Sequence, residues 1–443
     1  FLGVPLAPPP PPPTPPGPWP PAAVCVSGLG PCVLAAGADG RPLRPAILYG
    51  VDTRAQAEIA ELTEELGAEA IVARGGSLLT TQAVGPKLLW LRRREPDVWA
   101  RTRRLLMASS YAVQRLTGEY VLDHHSASQC DPLYDLEAGD WHAPWAEAIA
   151  PGLPLPRLLW PGEVAGEVSA AGAEATGLAL RTPVAAGTID AWAEALSAGV
   201  RDPGDAMLMY GTTMFIVAVE TGPRPDPRLW LTNGVEPGIR TVAAGMATSG
   251  ALTAWLREIA GGVPYEQLLA EAAAVPAGAG GLVALPYFAG ERTPVFDPRA
   301  RGVICGLTLS HGRGHLYRAL LEATAYGVRH NLEAFADAGA EPRRLVAVGG
   351  GTRGSLWTRI VSDVTGRAQE LPVQTIGASY GDAWLAGRAG GLVDEAARWN
   401  AVADVIDPDP AATEAYEALY AVYRELYPAT RAQAHALAAL QED

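Results

Sequence analysis

A single carboxylate stands where a strand-like run ends, and two kinds of chemistry are open to it. In the stretch VAAGTIDAWAEALSAG, Asp190 follows Gly187 and Thr188 and opens a helix-like run of Ala, Trp and Leu. An aspartate there can cap the helix by accepting hydrogen bonds from its free N–H groups. It can also serve as a general base that takes a proton from a substrate hydroxyl. The residues of this stretch alone favour the cap.

A second feature is an apolar strand that runs into Gly-Thr, and it recurs along the chain. Copies end at Thr188, Thr213 and Thr352. Glycine allows a ligand to approach the backbone closely, and successive N–H groups in such turns form concavities that bind anions. Ordinary turns after strands look the same. Three copies together slightly favour a two-sided cradle for phosphates and a nucleoside.

Other common catalytic patterns are missing from the sequence. Lys87 is the only lysine, and it follows Pro86 rather than a glycine-rich loop, so neither a Walker A lysine nor a protein-kinase strand lysine exists. The cysteines have the spacing of neither a zinc site nor a disulfide framework, which predicts reduced thiols and a cytoplasmic location. They are Cys25, Cys32, Cys130 and Cys305.

The densest polar stretch begins at Pro286 and admits two interpretations, a functional loop or a salt-bridged surface loop. Its charged residues are Glu291, Arg292, Asp297, Arg299 and Arg301. Further on, His311 and His315 have a spacing that suits metal ligands on a helix. The HExxH glutamate is missing and glycines interrupt the stretch, so we interpret this pair as a helix entry.

The elements that must position these residues follow an α/β pattern. Strand-like runs alternate with amphipathic helices, and 443 residues that are 49% hydrophobic predict at least two domains with large cores. The net charge of −14 argues against a nucleic-acid partner. No apolar run is long enough to span a membrane. The proline-dominated residues 1–21 predict a disordered leader.

Several motifs, taken in order, resemble one enzyme family. GPKLLWLRRREPDVW is similar to the first signature of the FGGY carbohydrate kinases, and GVICGLTLSHGRGHLYRALLE to the second. GERTPVFDPRARG, YGTTMF and AVGGGTRGSLWTRIVSDVTG resemble further segments of that family, and AAGTIDAWAEALSAG resembles the segment that carries its catalytic aspartate. The matches span residues 24–391.

The resemblance implies an α/β, actin-like (ribonuclease H-like) fold with an interdomain cleft. Residues 22–201 would form the sugar-binding domain and 202–443 the ATP-binding domain. It implies ATP and Mg²⁺ as cofactors and Asp190 as the general base. It also implies three groups of binding residues: Gly211, Thr212 and Thr213 at the ATP phosphates; Gly349, Gly350, Gly351 and Thr352 at the adenosine; and Ser27, Gly28, Asp52 and Arg54 with Asp190 at the sugar.

One departure from the family concerns its first phosphate loop. The family begins with a hairpin bearing Asp-x-Gly-Thr, whose aspartate helps to hold Mg²⁺, and no Asp-x-Gly-Thr occurs here. We therefore expect a first domain that is truncated at its N-terminus, and the metal ligands stay unassigned. The stretch from Leu29 to Pro31 also departs from the usual Gly-Gln-x-His-Gly, which leaves the sugar open.

The function that this resemblance implies is ATP-dependent phosphorylation of a sugar hydroxyl, with a ketopentose such as xylulose as the first expectation. Glycerol or another ketose or polyol is the alternative substrate. A non-catalytic sugar or nucleotide binder of the same fold is the alternative from another class. The expected partners are the sugar and ATP. A homodimer is a further possibility, because closed dimers are common.

Overall fold

The computed structural model describes residues 20–50, 52–222, 224–394 and 397–441. The predicted disordered leader, 1–21, lies outside the described residues except for its last two positions. All structural statements below concern the described part of the chain.

Short strands and helices alternate through the first 197 residues. The strands are β1 (Ser27–Gly28), β2 (Leu34–Ala36), β3 (Arg104–Leu106), β4 (Val121–Asp123), β5 (Tyr134–Asp135), β6 (Asp140–Trp141), β7 (Arg157–Leu159), β8 (Val164–Glu167), β9 (Pro183–Ala185) and β10 (Thr188–Ile189). The helices are α1 (Gln56–Leu66), α2 (Ala68–Gly75), α3 (Val84–Arg94), α4 (Pro96–Arg101), α5 (Ala108–Thr117), α6 (His124–Ala127), α7 (Ala143–Ile149), α8 (Ala170–Thr176) and α9 (Asp190–Ser197).

Longer elements follow in the rest of the chain. The strands are β11 (Asp205–Tyr210), β12 (Met214–Glu220), β13 (Trp230–Asn233), β14 (Arg240–Met246), β15 (Val283–Leu285), β16 (Val303–Cys305), β17 (Arg344–Val348), β18 (Gln369–Pro372) and β19 (Val402–Ile406). The α-helices are α10 (Gly250–Ile259), α11 (Tyr265–Ala273), α12 (Arg313–Asp337), α13 (Ser355–Thr365), α14 (Ala378–Ala389) and α15 (Pro410–Gln441), and a 3₁₀ turn covers Gly350–Arg353.

The chain divides into two compact units, each assembled from separate segments. Unit 1 comprises 1–197, 232–238 and 376–399, and unit 2 comprises 198–231, 239–375 and 400–443. The predicted domain boundaries at 22–201 and 202–443, with the roles attached to them, stay a prediction.

Unit 1 is built from small strand pairs and packed helices. β1 runs parallel to β10, so that Ser27 pairs with Thr188 and Gly28 with Ile189. A cluster of buried aliphatic side chains on α5, β4, β8 and β9 forms one part of its core, including Val113, Val121 and Val184. Helix α14 packs along α9, which fixes the helix that begins at Asp190.

Unit 2 is organised on a mixed sheet whose strand order is β13-β14-β12-β11-β17-β18-β19. β11 and β17 are parallel neighbours, whereas β12 runs antiparallel to both β11 and β14. β11 reads DAMLMY and is almost wholly buried, as a strand covered on both faces must be. The middle of α12 is buried.

The prediction of an α/β protein is confirmed by this alternation of strands and helices. Every helix among the described residues is too short or too polar to cross a bilayer.

Candidate active site

Asp190 is the first residue of α9 and lies directly after β10. Its Oδ1 accepts a hydrogen bond from the Ala191 N–H at 2.8 Å. The positive end of the helix favours the ionised carboxylate, whereas burial favours the neutral acid. Burial prevails, and the pKa of Asp190 is raised above its usual value. A half-buried carboxyl with a raised pKa is better suited to accept a proton than an exposed surface aspartate.

Two further carboxyls share this environment. Burial raises the pKa of Glu194, one turn along α9, and the charge of Asp190 raises it further. Burial likewise raises the pKa of Asp382 on α14, and among its smaller causes the charge of Asp190 acts in the same direction. The charge of Asp190 thus contributes to the raised pKa of both other carboxyls.

The predicted sugar residues Ser27 and Gly28 are brought next to the strand that leads to Asp190. The parallel pairing of β1 with β10 places Gly28 opposite Ile189, the residue before Asp190. Both residues of β1 are partly exposed. Ser27, Gly28 and Asp190 are thus parts of one local structure in unit 1.

The β10 strand is itself fixed by a buried acid. Asp123 Oδ1 accepts from the Thr188 hydroxyl at 3.0 Å and from the Ser126 N–H at 2.9 Å. Complete burial raises the pKa of Asp123 to about 6. The hydroxyl of the first Gly-Thr motif therefore serves the fold, because Thr188 is fully buried and donates internally.

Asp52 and Arg54, also predicted at the sugar, contact a different set of side chains. The Arg54 Nε donates to both oxygens of Asp52, at 2.8 and 3.0 Å, and its guanidinium lies 4.8 Å from the Trp90 ring centre. Burial raises the pKa of Asp52, but the hydrogen bonds and charge of Arg54 outweigh it and the net pKa lies below its usual value. The ion pair therefore stabilises the charged form of this carboxylate.

The second and third Gly-Thr motifs lie side by side in unit 2. Residues 211–213 follow β11, Gly349 follows β17, and these strands are parallel with Met209 opposite Val348. The carboxyl ends of neighbouring parallel strands are the usual ligand-binding edge of an open α/β sheet. Thr212 and Gly350 are exposed at that edge. The geometry fits a phosphate and nucleoside site made from the two turns.

Gly349 makes the close approach of these turns possible. Its φ is +95°, and a Cβ placed there would lie 2.7 Å from the carbonyl oxygen of Tyr210, the last residue of β11. Only glycine fits such a position without strain. The Thr352 hydroxyl then closes the turn by donating to the Gly349 carbonyl at 2.8 Å.

A cavity of about 450 Å³ lies beside the third turn. Its walls include Thr352 and carry charges of both signs, from Arg353 and Arg359 on one side and Asp404 and Asp407 on the other. Such a polar wall suits a hydroxylated or phosphorylated ligand better than an apolar one.

The divalent metal has no ready-made cluster in the described part of the chain, where no three or more His, Cys, Asp or Glu side chains are arranged to hold one. Mg²⁺ commonly keeps several waters and binds through substrate phosphates with one or two carboxylates.

In the polar loop that begins at Pro286, Asp297 and Glu291 form hydrogen bonds with other parts of unit 2. Asp297 Oδ2 accepts from the Tyr427 hydroxyl and contacts His435 Nε2, both at 2.5 Å, which ties the loop to α15. Glu291 accepts from the Ala247 N–H at 3.0 Å, and burial raises its pKa to about 8. His315 lies in the first turn of α12, at the helix entry that the sequence predicted.

Asp382 and Asp123 were not predicted from the sequence. A signal for Asp382 was present, since the tripeptide Asp-Ala-Trp occurs twice, at 190–192 and at 382–384, each time with a buried tryptophan. Asp123 gave no comparable signal beyond its position before two histidines.

Comparison with known proteins agrees with the motifs. The N-terminal domain of the "FGGY family of carbohydrate kinases" matches residues 20–197, and the C-terminal domain matches residues 206–390. A xylulose kinase of Escherichia coli K12 is 31% identical over 355 residues, which is 79% of this chain and 72% of that protein. One of Bacillus subtilis is 27% identical over 401 residues, or 89% of this chain and 80% of that protein.

Solved structures show the same fold. The crystal structure of a xylulose kinase from Rhodospirillum rubrum has a TM-score of 0.87 and 38% identity, covering 94% of this chain and 86% of that chain. A Plasmodium falciparum glycerol kinase structure with ADP has a TM-score of 0.80 at 20% identity, covering 91% of this chain and 83% of that chain, and it supports the fold alone. Together with the two domain matches, these likenesses confirm the actin-like prediction, and the chain belongs to the FGGY family of carbohydrate kinases.

Proposed function

We propose that this kinase transfers the γ-phosphoryl group of ATP to a hydroxyl of a ketopentose, with xylulose as its substrate and Asp190 as the general base. The observation that carries the proposal is the position of Asp190. It is a half-buried carboxyl with a raised pKa, at the head of α9 and one residue beyond the strand that pairs with Ser27 and Gly28.

The chemistry asked of these residues is modest, because phosphoryl transfer depends on positioning and charge stabilisation more than on covalent help. Asp190 accepts the proton of the attacking sugar hydroxyl, and a general base of this kind contributes roughly a hundred- to ten-thousandfold. Ser27, Gly28, Asp52 and Arg54 bind and orient the sugar.

ATP is held by the paired turns of unit 2. The N–H groups of 211–213 contact its phosphates, and the turn of Gly349, Gly350, Gly351 and Thr352 borders the adenosine. Mg²⁺ would be bound chiefly by these phosphates and would neutralise their charge. The site needs no lysine, which agrees with the presence of a single lysine in unit 1.

We propose xylulose, ahead of glycerol and other ketoses, as the substrate because xylulose kinases recur among the relatives at 27–31% identity. A ribulokinase of Shouchella clausii is 30% identical, and ribulose is therefore a second ketopentose to be tested as a substrate. We also propose a cytoplasmic enzyme whose sugar-binding domain is 22–201 and whose ATP-binding domain is 202–443. A homodimer stays a prediction.

The test is sugar-dependent ADP release in a coupled assay, with xylulose, ribulose, glycerol and gluconate offered separately. The wild-type chain should turn over xylulose fastest. Asp190→Asn should lower kcat about a hundredfold or more. Asp97→Asn, an exposed aspartate on α4, is the matched control and should leave kcat unchanged. Undiminished turnover by Asp190→Asn would refute the role of Asp190, and preference for another sugar would refute xylulose.

A further inference from the structure

Asp382, on α14, accepts hydrogen bonds through both of its carboxylate oxygens. Its Oδ2 accepts from the Ser27 hydroxyl at 2.6 Å and from the Ser27 N–H at 3.2 Å, and its Oδ1 accepts from the Cys25 thiol at 3.7 Å. Residue 382 is separated from Ser27 by 355 positions in sequence. The chain therefore brings a distant segment, 376–399, back into unit 1 and places this carboxyl against β1.

The bond at 2.6 Å has a chemical consequence for Ser27. A serine hydroxyl has one proton to donate and two lone pairs with which to accept. Since the proton is directed to Asp382, the Oγ of Ser27 can act toward a ligand only as an acceptor. A carboxylate acceptor makes this a charge-assisted bond, which holds the hydroxyl in one orientation.

The oriented hydroxyl belongs to the same local structure as the proposed base. Ser27 pairs with Thr188, two residues before Asp190, and β1 is partly exposed. The Asp190 charge also acts on Asp382, as its contribution to the raised pKa of that carboxyl shows. A sugar bound at Asp190 would therefore meet an acceptor at Ser27 and a second acceptor at Asp190 itself.

We propose that Asp382 is a positioning residue that fixes the Ser27 hydroxyl as a hydrogen-bond acceptor for a donor hydroxyl of the sugar. The inference rests on the proposed function for the identity of the ligand. It makes the site select for a hydroxyl, and against an ether or a methyl group, at the sugar position that contacts Ser27.

The test is a double-mutant cycle on sugar affinity. Titration calorimetry without ATP measures xylulose binding by the wild type, Ser27→Ala, Asp382→Asn and the double variant. Each single variant should weaken binding about three- to tenfold, the range of one neutral hydrogen bond. The double variant should be no weaker than the weaker single variant, because both changes remove the same contact.

Controls separate positioning from stability. Asp363→Asn in unit 2 is the matched control, since Asp363 is also buried, with a pKa raised by burial, and accepts from the Asp409 N–H at 2.8 Å. It should leave xylulose affinity unchanged. In the kinase assay, Ser27→Ala and Asp382→Asn should raise KM for xylulose and leave KM for ATP as it is. Ser27→Ala keeps the inference testable if Asp382→Asn fails to fold.

Additive losses in the double variant would overturn the inference, as would unchanged sugar affinity in Ser27→Ala. A wild-type chain that binds no xylulose would also overturn it. Because binding is measured without turnover, the inference can fail while the kinase activity persists, and it can hold if turnover is lost.

Discussion

The contact between α9 and α14 gives a sharp test of how the candidate base is held. Gly381 on α14 lies so close to α9 that an added Cβ would be 1.9 Å from the Ala193 carbonyl oxygen. A Cβ atom essentially never lies within 3.0 Å of a non-bonded heavy atom of another part of the chain. Gly381→Ala must therefore push the two helices apart by more than about 1 Å. Overpacking of this kind costs roughly 1–3 kcal/mol and occasionally more, and contact with backbone rather than a flexible side chain places it at the upper end.

Activity should fall together with stability in Gly381→Ala. Ala193 is on the same helix as Asp190, one turn further along, and Asp382 follows Gly381 directly. A displacement of about 1 Å at a reacting group can lower the rate about a hundredfold. We therefore expect a loss of about 2–3 kcal/mol in urea unfolding followed by circular dichroism, and a kcat that is lower by at least tenfold in the folded variant.

Gly162→Ala is the matched control, because it adds the same methyl group beside α14, the helix that carries Gly381. Its Cβ would lie 3.5 Å from Leu385 Cδ2, an ordinary contact. The variant should be as stable and as active as the wild type. If Gly381→Ala unfolds at the same urea concentration as Gly162→Ala and keeps its kcat, the proposed role of this helix contact is wrong.

Two further predictions concern the ATP site and the buried lysine. Gly349→Ala should raise KM for ATP about tenfold or more while KM for xylulose stays constant. The reason is that a φ of +95° strains any residue other than glycine and that the new Cβ would meet the Tyr210 carbonyl. A KM for ATP equal to that of the wild type would contradict this prediction. Lys87 is almost fully buried, and burial lowers its pKa from 10.5 to about 8. Between these two pH values the unfolded chain binds more protons than the folded chain, so the stability of the wild type relative to Lys87→Met should rise with pH. Urea titrations should show a rise of up to about 3 kcal/mol from pH 8 to 10.5. A stability difference that is constant with pH would contradict this prediction.

The sequence predicted those parts of the fold that depend on residues close together in the chain. The apolar run of β11, the periodicity of α12 and the glycine turns after β11 and β17 are legible because each lies within a few residues. Asp190 could be found for the same reason, although its role as a base came from the family resemblance rather than from its surroundings.

Other parts of the site depend on residues that are distant in sequence. The Ser27–Asp382 bond joins residues 355 positions apart, and the association of 376–399 with unit 1 is set by packing of α14 on α9 rather than by a sequence pattern. The close contact at Gly381 likewise becomes visible only when the position of Ala193 is known. Periodicity and spacing do not carry such information.

The central claim, that this chain phosphorylates a sugar with Asp190 as the base, is tested most directly by following the phosphate itself. Wild type and Asp190→Asn are each incubated with xylulose and ATP labelled in the γ-phosphate, and the labelled products are separated. We predict labelled xylulose phosphate from the wild type, at a rate about a hundredfold or more above that of Asp190→Asn, with both variants folded. Label that never reaches the sugar in the wild type, or reaches it equally fast in both, would contradict the account.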